Sequence, residues 1–514
     1  YDPTKSQFLD PGTFKQVNGW RYSSSSQAPL GATPNRSPFA MPRVNAAWDL
    51  TGNGNNVVRG GFGVFYNRNM GNLEYDFLHV PPVTYSVSTN SGASSDLGGV
   101  GLTYDTLHLL DWRTRLSTLS LSTLNPQSNT WPKTYSFSVS FARRIKFNQV
   151  VEAAYVGTKG RDLVSRRQLD AVPMGALLQG TVNGIDLSVP VNRVALDSSV
   201  VNMFRPYQDF SSVTDWSFKG VSNYNSLQVT LSRQTGRRLQ YFATYTLSRA
   251  VGTNSGNGEY GNIDPFDPKR TYGVLPEDRS HVFNLSWNAF IPDGARGSMT
   301  NPVIRGALNG WQLSGISTLA SGVPIYLGFG GQAGSTGITQ AIFGTPDIIG
   351  NPGPGGSNRG GLVPIYTCDP RTGNTGVGEK LLNINCIAIP AYGDNGTLIP
   401  KFNLRMPTRI NHDLTLFKNF DVKDQQKLQF RVGVFNIFNQ AWATTNSAAD
   451  IDLTLDTVCN VTVPSLPNGA GGTATNVCDP TKGFKYTDTT LANFGKINLK
   501  RGHRVIELAL KYYF

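Results

Sequence analysis

The chain has 514 residues, too many for one small domain, and only 16% are charged while 55 are glycine and 11% are aromatic; this suits many strands joined by turns better than it suits helices. No run of about 18 apolar residues occurs, so no transmembrane helix is expected. The net charge is +12, but the basic residues are scattered or gathered in short turns such as 143–146 (RRIK), without the basic stripe or motifs that a nucleic-acid partner requires.

Residues 1–41 are irregular and rich in Ser, Pro and Gly, which marks loop. Over 43–50, Val44, Ala46, Trp48 and Leu50 alternate with Arg43, Asn45 and Asp49, the period of a strand. The segment 51–56 (TGNGNN) is a turn built of residues that tolerate positive φ. Asp49, Thr51 and Asn53 are spaced as in a calcium loop, but no glutamate stands at the twelfth position, so the turn alone accounts for them. The return strand, 57–66, carries Val58, Phe62, Val64 and Tyr66 on one face and Arg59 on the other.

The same pattern recurs along the chain. Tyr135, Phe137, Val139 and Phe141 alternate with serines over 133–142, and Val151, Ala153 and Tyr155 stand opposite Glu152 over 149–157. Leu227, Val229 and Leu231 mark 223–233; a turn at 234–238 (QTGRR) leads to Leu239, Tyr241, Ala243, Tyr245 and Leu247. Phe283, Leu285, Trp287 and Ala289 mark 281–291, and Trp311, Leu313 and Leu319 mark 310–320. Ile410, Leu414 and Leu416 lie in 409–418, and Leu428, Phe430, Val432 and Val434 in 427–438. With the closing stretch 505–514 the expected strands number eleven. Their connections alternate in length: 51–56, 143–148, 234–238, 292–309 and 419–426 are short, whereas 67–132, 158–222, 248–280, 321–408 and 439–504 are long.

The four cysteines form two sequence-local couples, Cys368 with Cys386 and Cys459 with Cys478. None lies in a CxxC and histidines are few, which disfavours zinc. In an oxidising compartment they are expected as loop disulfides, although four cysteines allow three connectivities and proximity is only a modest guide. No hydrolase, zinc-protease or phosphate-loop motif occurs, and the glycine run 328–334 has no following Lys-Ser/Thr. Asp264, Asp267, Glu277 and Asp278 are grouped closely enough to be weighed as paired carboxylates. Arg59, Glu152, Arg431, Glu507 and Lys511 fall on the polar face of their strands, where they either line a path or pair with one another.

The last stretch, VIELALKYYF, ends on an aromatic residue and places Ile506, Leu508, Leu510, Tyr512 and Phe514 on one face. It resembles the carboxy-terminal assembly signal of bacterial outer-membrane β-barrels. RVNAAWDLTGNGNNVVRGGFGVFYNR (43–68), VEAAYVGTKGRDL (151–163), DPFDPKRTYG (264–273), LNGWQLSGISTLASGVP (308–324), LQFRVGVFNIFN (428–439) and FGKINLKRGHRVIELALKYYF (494–514) extend the likeness over nearly the whole chain. Together they resemble the barrel of TonB-dependent outer-membrane transporters, in particular the Oar-like group.

The resemblance implies an all-β, antiparallel transmembrane outer-membrane β-barrel, part of a plugged barrel of about 22 strands. It implies no catalytic residues, metal or cofactor. The partners it implies are outer-membrane lipid and lipopolysaccharide, the barrel-assembly machinery, an extracellular ligand, and the TonB complex acting through a plug that nothing in this sequence matches. With long loops outside and short turns in the periplasm, Phe514 is expected on the periplasmic side. An odd number of antiparallel strands cannot close, so residues 1–514 are expected to be an amino-terminally truncated barrel domain. Two alternatives remain open at this point: a surface protein for adhesion or export, and a secreted all-β binding module.

Overall fold

The computed structural model describes residues 38–67, 119–124, 130–207, 210–234, 238–253, 261–296, 301–333, 336–348, 361–396, 404–423, 426–443, 450–469 and 471–514. Eleven strands form one antiparallel meander in chain order: β1 (Arg43–Asp49), β2 (Asn56–Tyr66), β3 (Lys133–Ile145), β4 (Gln149–Gln168), β5 (Phe210–Arg233), β6 (Leu239–Gly252), β7 (His281–Phe290), β8 (Trp311–Ala320), β9 (Arg409–Lys423), β10 (Gln426–Phe435) and β11 (Val505–Tyr513). Among the described residues β1 and β11 are the two free edges of this wall.

The register turns eleven separate alternations into continuous stripes. One row runs Trp48, Val58, Phe141, Ala153, Val229, Tyr245, Phe283, Leu319 and Ile410, each the direct cross-strand partner of the next. A second runs Leu239, Ala289, Leu313, Leu416, Val432 and Leu508. On the opposite face, Glu152, Thr230, Thr244, Asn284, Thr318 and Asn411 are in line. A one-residue slip in any pair would throw an apolar strand face into a polar row, so the pattern fixes the register. The apolar side chains are not buried within the chain: Val139, Ile506, Leu508 and Leu510 are all more than half exposed. Such a face requires a nonaqueous neighbour.

Glycine completes the fit where rings cross the stripes. A Cβ on Gly157 would run into the Phe137 ring, and one on Gly315 would stand 2.7 Å from the Trp287 indole, so each ring lies over a residue that must lack a side chain.

Several boundaries differ from the sequence expectation: β3, β6 and β9 run on to Ile145, Gly252 and Lys423, into stretches expected as connections. β4 and β5 run on through 158–168 and 210–222, segments expected as loop. They stay paired as far as Gln168 with Thr214, past irregularities at 160–165 where Asp162 has a φ of 55°. β10 stops at Phe435 rather than 438, because Asn436 and Asn439 take φ values of 53° and turn the chain. The short connection at 292–309 contains a helix, Pro302–Leu308, whose first amides donate to the Asn301 side chain. Lys418, in line with Phe430 and Leu510 on the apolar face, is nevertheless buried. Its ammonium reaches the Ala307 and Asn309 carbonyls at the end of this helix and lies over the Trp311 and Phe420 rings, where a cation suits the negative helix terminus.

Candidate functional site: a folded cap on the long connections

The long connections fold together. Those after β8 and β10 share one apolar core in which Leu362, Leu382, Ile451, Leu455, Phe494 and Ile497 are fully buried. The connection after β4 adds a smaller core of Val172, Leu177 and Val201. Burying each Leu or Phe contributes about 1.5–3 kcal/mol, enough to order segments that carry little regular structure of their own.

Specific polar contacts then lock the connections to one another. α1 (Pro190–Val194), after β4, packs on α2 (Thr336–Phe343), after β8. The Gln340 amide donates to the Arg193 carbonyl at 2.6 Å, and the Gly175 and Leu177 amides donate to the carbonyls of Phe343 and Gly344 at 3.0 Å each. The Asp347 carboxylate accepts from the Val172 amide at 2.7 Å and from Arg205 at 3.0 Å. Asp170 lies beside this pair, wholly buried: one oxygen accepts from the Tyr207 amide at 2.9 Å and the other has no partner. Burial pushes the Asp170 carboxyl up to about 7; the Tyr207 amide and the Arg205 charge offset this in part and the Asp347 charge adds to it.

Both cysteine couples lie in the cap. Cys368 is bonded to Cys386 with Cα atoms 4.8 Å apart, and Cys459 to Cys478 at 5.6 Å, distances ordinary for disulfides. The second bond closes the base of an exposed hairpin, Thr462–Pro467 with Thr473–Cys478.

The grouped acids do not form a paired-carboxylate centre. Asp278 is buried against Arg405, which also donates to the carbonyls of Asp278 and Gly322. Asp264 accepts from the Phe266 and Asp267 amides and faces Arg270 at 3.4 Å; Asp267 caps the short helix at 268–271. These are corner ties joining connections to strand ends. On the polar wall face, Arg59 and Glu152 pair at 3.8 Å, and Arg431 donates to the Tyr513 hydroxyl at 2.9 Å. Asp49 accepts from the Thr51 and Gly54 amides, as a turn residue does. Ile506, Leu508, Leu510, Tyr512 and Phe514 all lie exposed on the edge strand and just beyond it, with the last two rings stacked at 6.3 Å. The cap contacts were beyond sequence reasoning, since partners such as Val172 and Asp347 share no periodic signal.

Residues 1–504 match the family model described as "Outer membrane beta barrel domain". The chain belongs to that family. It is therefore an all-β barrel protein of the outer membrane, and the exposed apolar stripes of its wall face lipid. A search of the curated proteins finds no match. Among solved structures it is similar to the outer membrane transporter YddB from Escherichia coli, at 10% identity and a TM-score of 0.38, over 78% of this chain and 37% of that one. It is also similar to the ferric-catecholate import receptor Fiu of E. coli K12 (9%, TM-score 0.34, 92% and 34%). A third is the ferripyoverdine receptor of the Pseudomonas aeruginosa outer membrane (9%, TM-score 0.33, 79% and 30%). The chain thus spans about a third of the length of these structures.

Proposed function

We propose that this barrel is the carboxy-terminal wall of a TonB-dependent, Oar-like transporter that takes up an extracellular ligand held by the cap. The observation that carries the proposal is the cap: three long connections interlock around their own cores on the side of the wall that faces outward in such barrels. Passive pores need no such structure. The eleven antiparallel strands found among the described residues leave edge strands that run in the same direction, so closure takes at least one strand beyond these; unpaired edges in hydrocarbon would cost several kcal/mol per backbone group. Energy would reach the wall through a plug contacted by TonB.

A growth screen tests the reading. The parent strain, a strain lacking this protein and a strain lacking TonB are grown on a panel of single scarce nutrients. At least one nutrient should fail to support both mutants alike. Loss of surface adhesion with every nutrient still used would contradict uptake and favour an adhesin.

The aromatic end of the chain is proposed as an assembly signal read by the barrel-assembly machinery. Deleting Phe514 should lower the amount inserted more than the activity per inserted molecule; normal insertion with lost uptake would reverse that assignment.

A further inference from the structure

Arg193, in α1, is 3% exposed, deeper than any other arginine among the described residues. Arg205, Arg270 and Arg405, all less buried, face Asp347, Asp264 and Asp278, whereas Arg193 faces no carboxylate among the described residues. Its Nη2 donates to the Tyr392 hydroxyl at 3.0 Å, and its Nε–H is buried with no acceptor. A guanidinium keeps its charge throughout the physiological range, and a buried charge without a partner is costly. Packing alone would select an apolar side chain at this position.

The long connections converge on this residue. α1 belongs to the one after β4, Gln340 and Tyr392 come from the one after β8, and strand Thr473–Cys478 of the disulfide-closed hairpin, after β10, packs beside α1. The fit is close: a Cβ on Gly337 would stand 3.1 Å from the Val194 carbonyl. The Thr339 hydroxyl, one residue before Gln340, is a second buried polar group with no partner. A Cβ on Gly361 would stand 3.1 Å from the Thr339 methyl, and the Gly361 carbonyl accepts from Asn395 at 2.8 Å, in the segment that carries Tyr392. Both unmet groups therefore belong to one junction. Tyr392 is itself exposed and connects that junction with the outside.

We propose that Arg193 and Tyr392 bind a carboxylate group of the extracellular ligand, which enters past the Tyr392 ring. The Nε–H and one Nη2–H of a guanidinium lie in one plane and point the same way, a fork that the two oxygens of a carboxylate fit. The Tyr392 hydroxyl accepts from Nη2 and keeps its own proton to donate to the same carboxylate. The bound anion neutralises Arg193 where the connections meet, so binding draws the cap together. That the anion is cargo rests on the uptake reading; the carboxylate site does not.

The test uses the full chain purified in nonionic detergent, with fluoroacetate as probe and fluorine NMR as readout, in buffer free of chloride and other carboxylates. Wild type should broaden the fluoroacetate signal saturably, acetate should displace the probe, and neutral fluoroacetamide should show no effect. Arg193→Gln should bind roughly tenfold more weakly or worse. Tyr392→Phe keeps the charge and the ring and should still weaken binding severalfold; it decides the matter if the cap of Arg193→Gln does not fold. Arg371→Gln, which removes an exposed cation of the cap, should bind as wild type does. Unchanged affinity in Tyr392→Phe would overturn the site, as would no saturable binding by wild type or displacement by chloride as effective as by acetate. Probe binding alongside a growth screen with no shared nutrient defect would keep the site and remove the uptake reading; a shared defect without probe binding would do the reverse.

Discussion

Asp170 shows how one side chain ties the cap to its conditions. It is buried where the connection after β4 meets the one after β8, with Arg205, Asp347 and the Tyr207 amide as its polar neighbours. Its carboxyl is pushed up to about 7 in the closed cap, and released to water it would return to about 4. A raised acid favours the closed form when protonated, so the contribution is full below about pH 4 and is lost as pH rises through 7. Hydrogen exchange of the Ala171, Val172, Gly175 and Leu177 amides, corrected for intrinsic rate, should therefore speed up over that window, and Asp170→Asn should flatten the profile. An unchanged slope in the variant would remove Asp170 from the mechanism. Adjacent residues on one strand also differ sharply in what they tolerate: Val229→Arg should cost roughly 2–4 kcal/mol in urea unfolding from vesicles, whereas Thr230→Arg, one position on, should cost far less. Equal costs would mean that the two faces are not distinguished by lipid.

At the level of elements, the wall was legible and the cap was not. Each membrane-crossing strand has lipid on one face and polar surroundings on the other, so alternations such as Tyr135, Phe137, Val139 and Phe141 against serines announce it. Once β4 and β5 pass Gly157 and Asn223 they have left the lipid, the alternation lapses, and the strands continue on backbone pairing and on contacts without a strand period, such as Ser165 with Ser217 and Val213 with Leu121; this is why 158–168 and 210–222 read as loop. β10 was overrun for the opposite reason, since Ile437 and Phe438 prolong the apolar pattern past the turn at Asn436. The cap rests on contacts between residues more than a hundred positions apart, with neither helical nor strand period to advertise them. The cysteine spacing was its one local sign. Closing loops of this size should stabilise by about 3 kcal/mol in the chain-entropy model. A Cys459→Ser/Cys478→Ser variant should therefore show faster proteolysis of the 462–478 hairpin while the wall stays intact. Recovery of free thiols from the untreated protein would instead exclude the bonds.

For the whole molecule, everything rests on the wall having two chemically distinct faces, one of them against lipid. The stripe from Trp48 to Ile410 crosses nine strands, so an error in sidedness would place nine apolar residues in water at once. The most direct check is spin-label accessibility in proteoliposomes, with single labels scanned through 225–232 on β5 and 283–289 on β7. Odd positions should be accessible to oxygen and shielded from a water-soluble nickel reagent, even positions the reverse, with a period of two on both strands. Accessibility without alternation, or nickel access at Val229 and Phe283, would contradict a lipid-facing barrel wall.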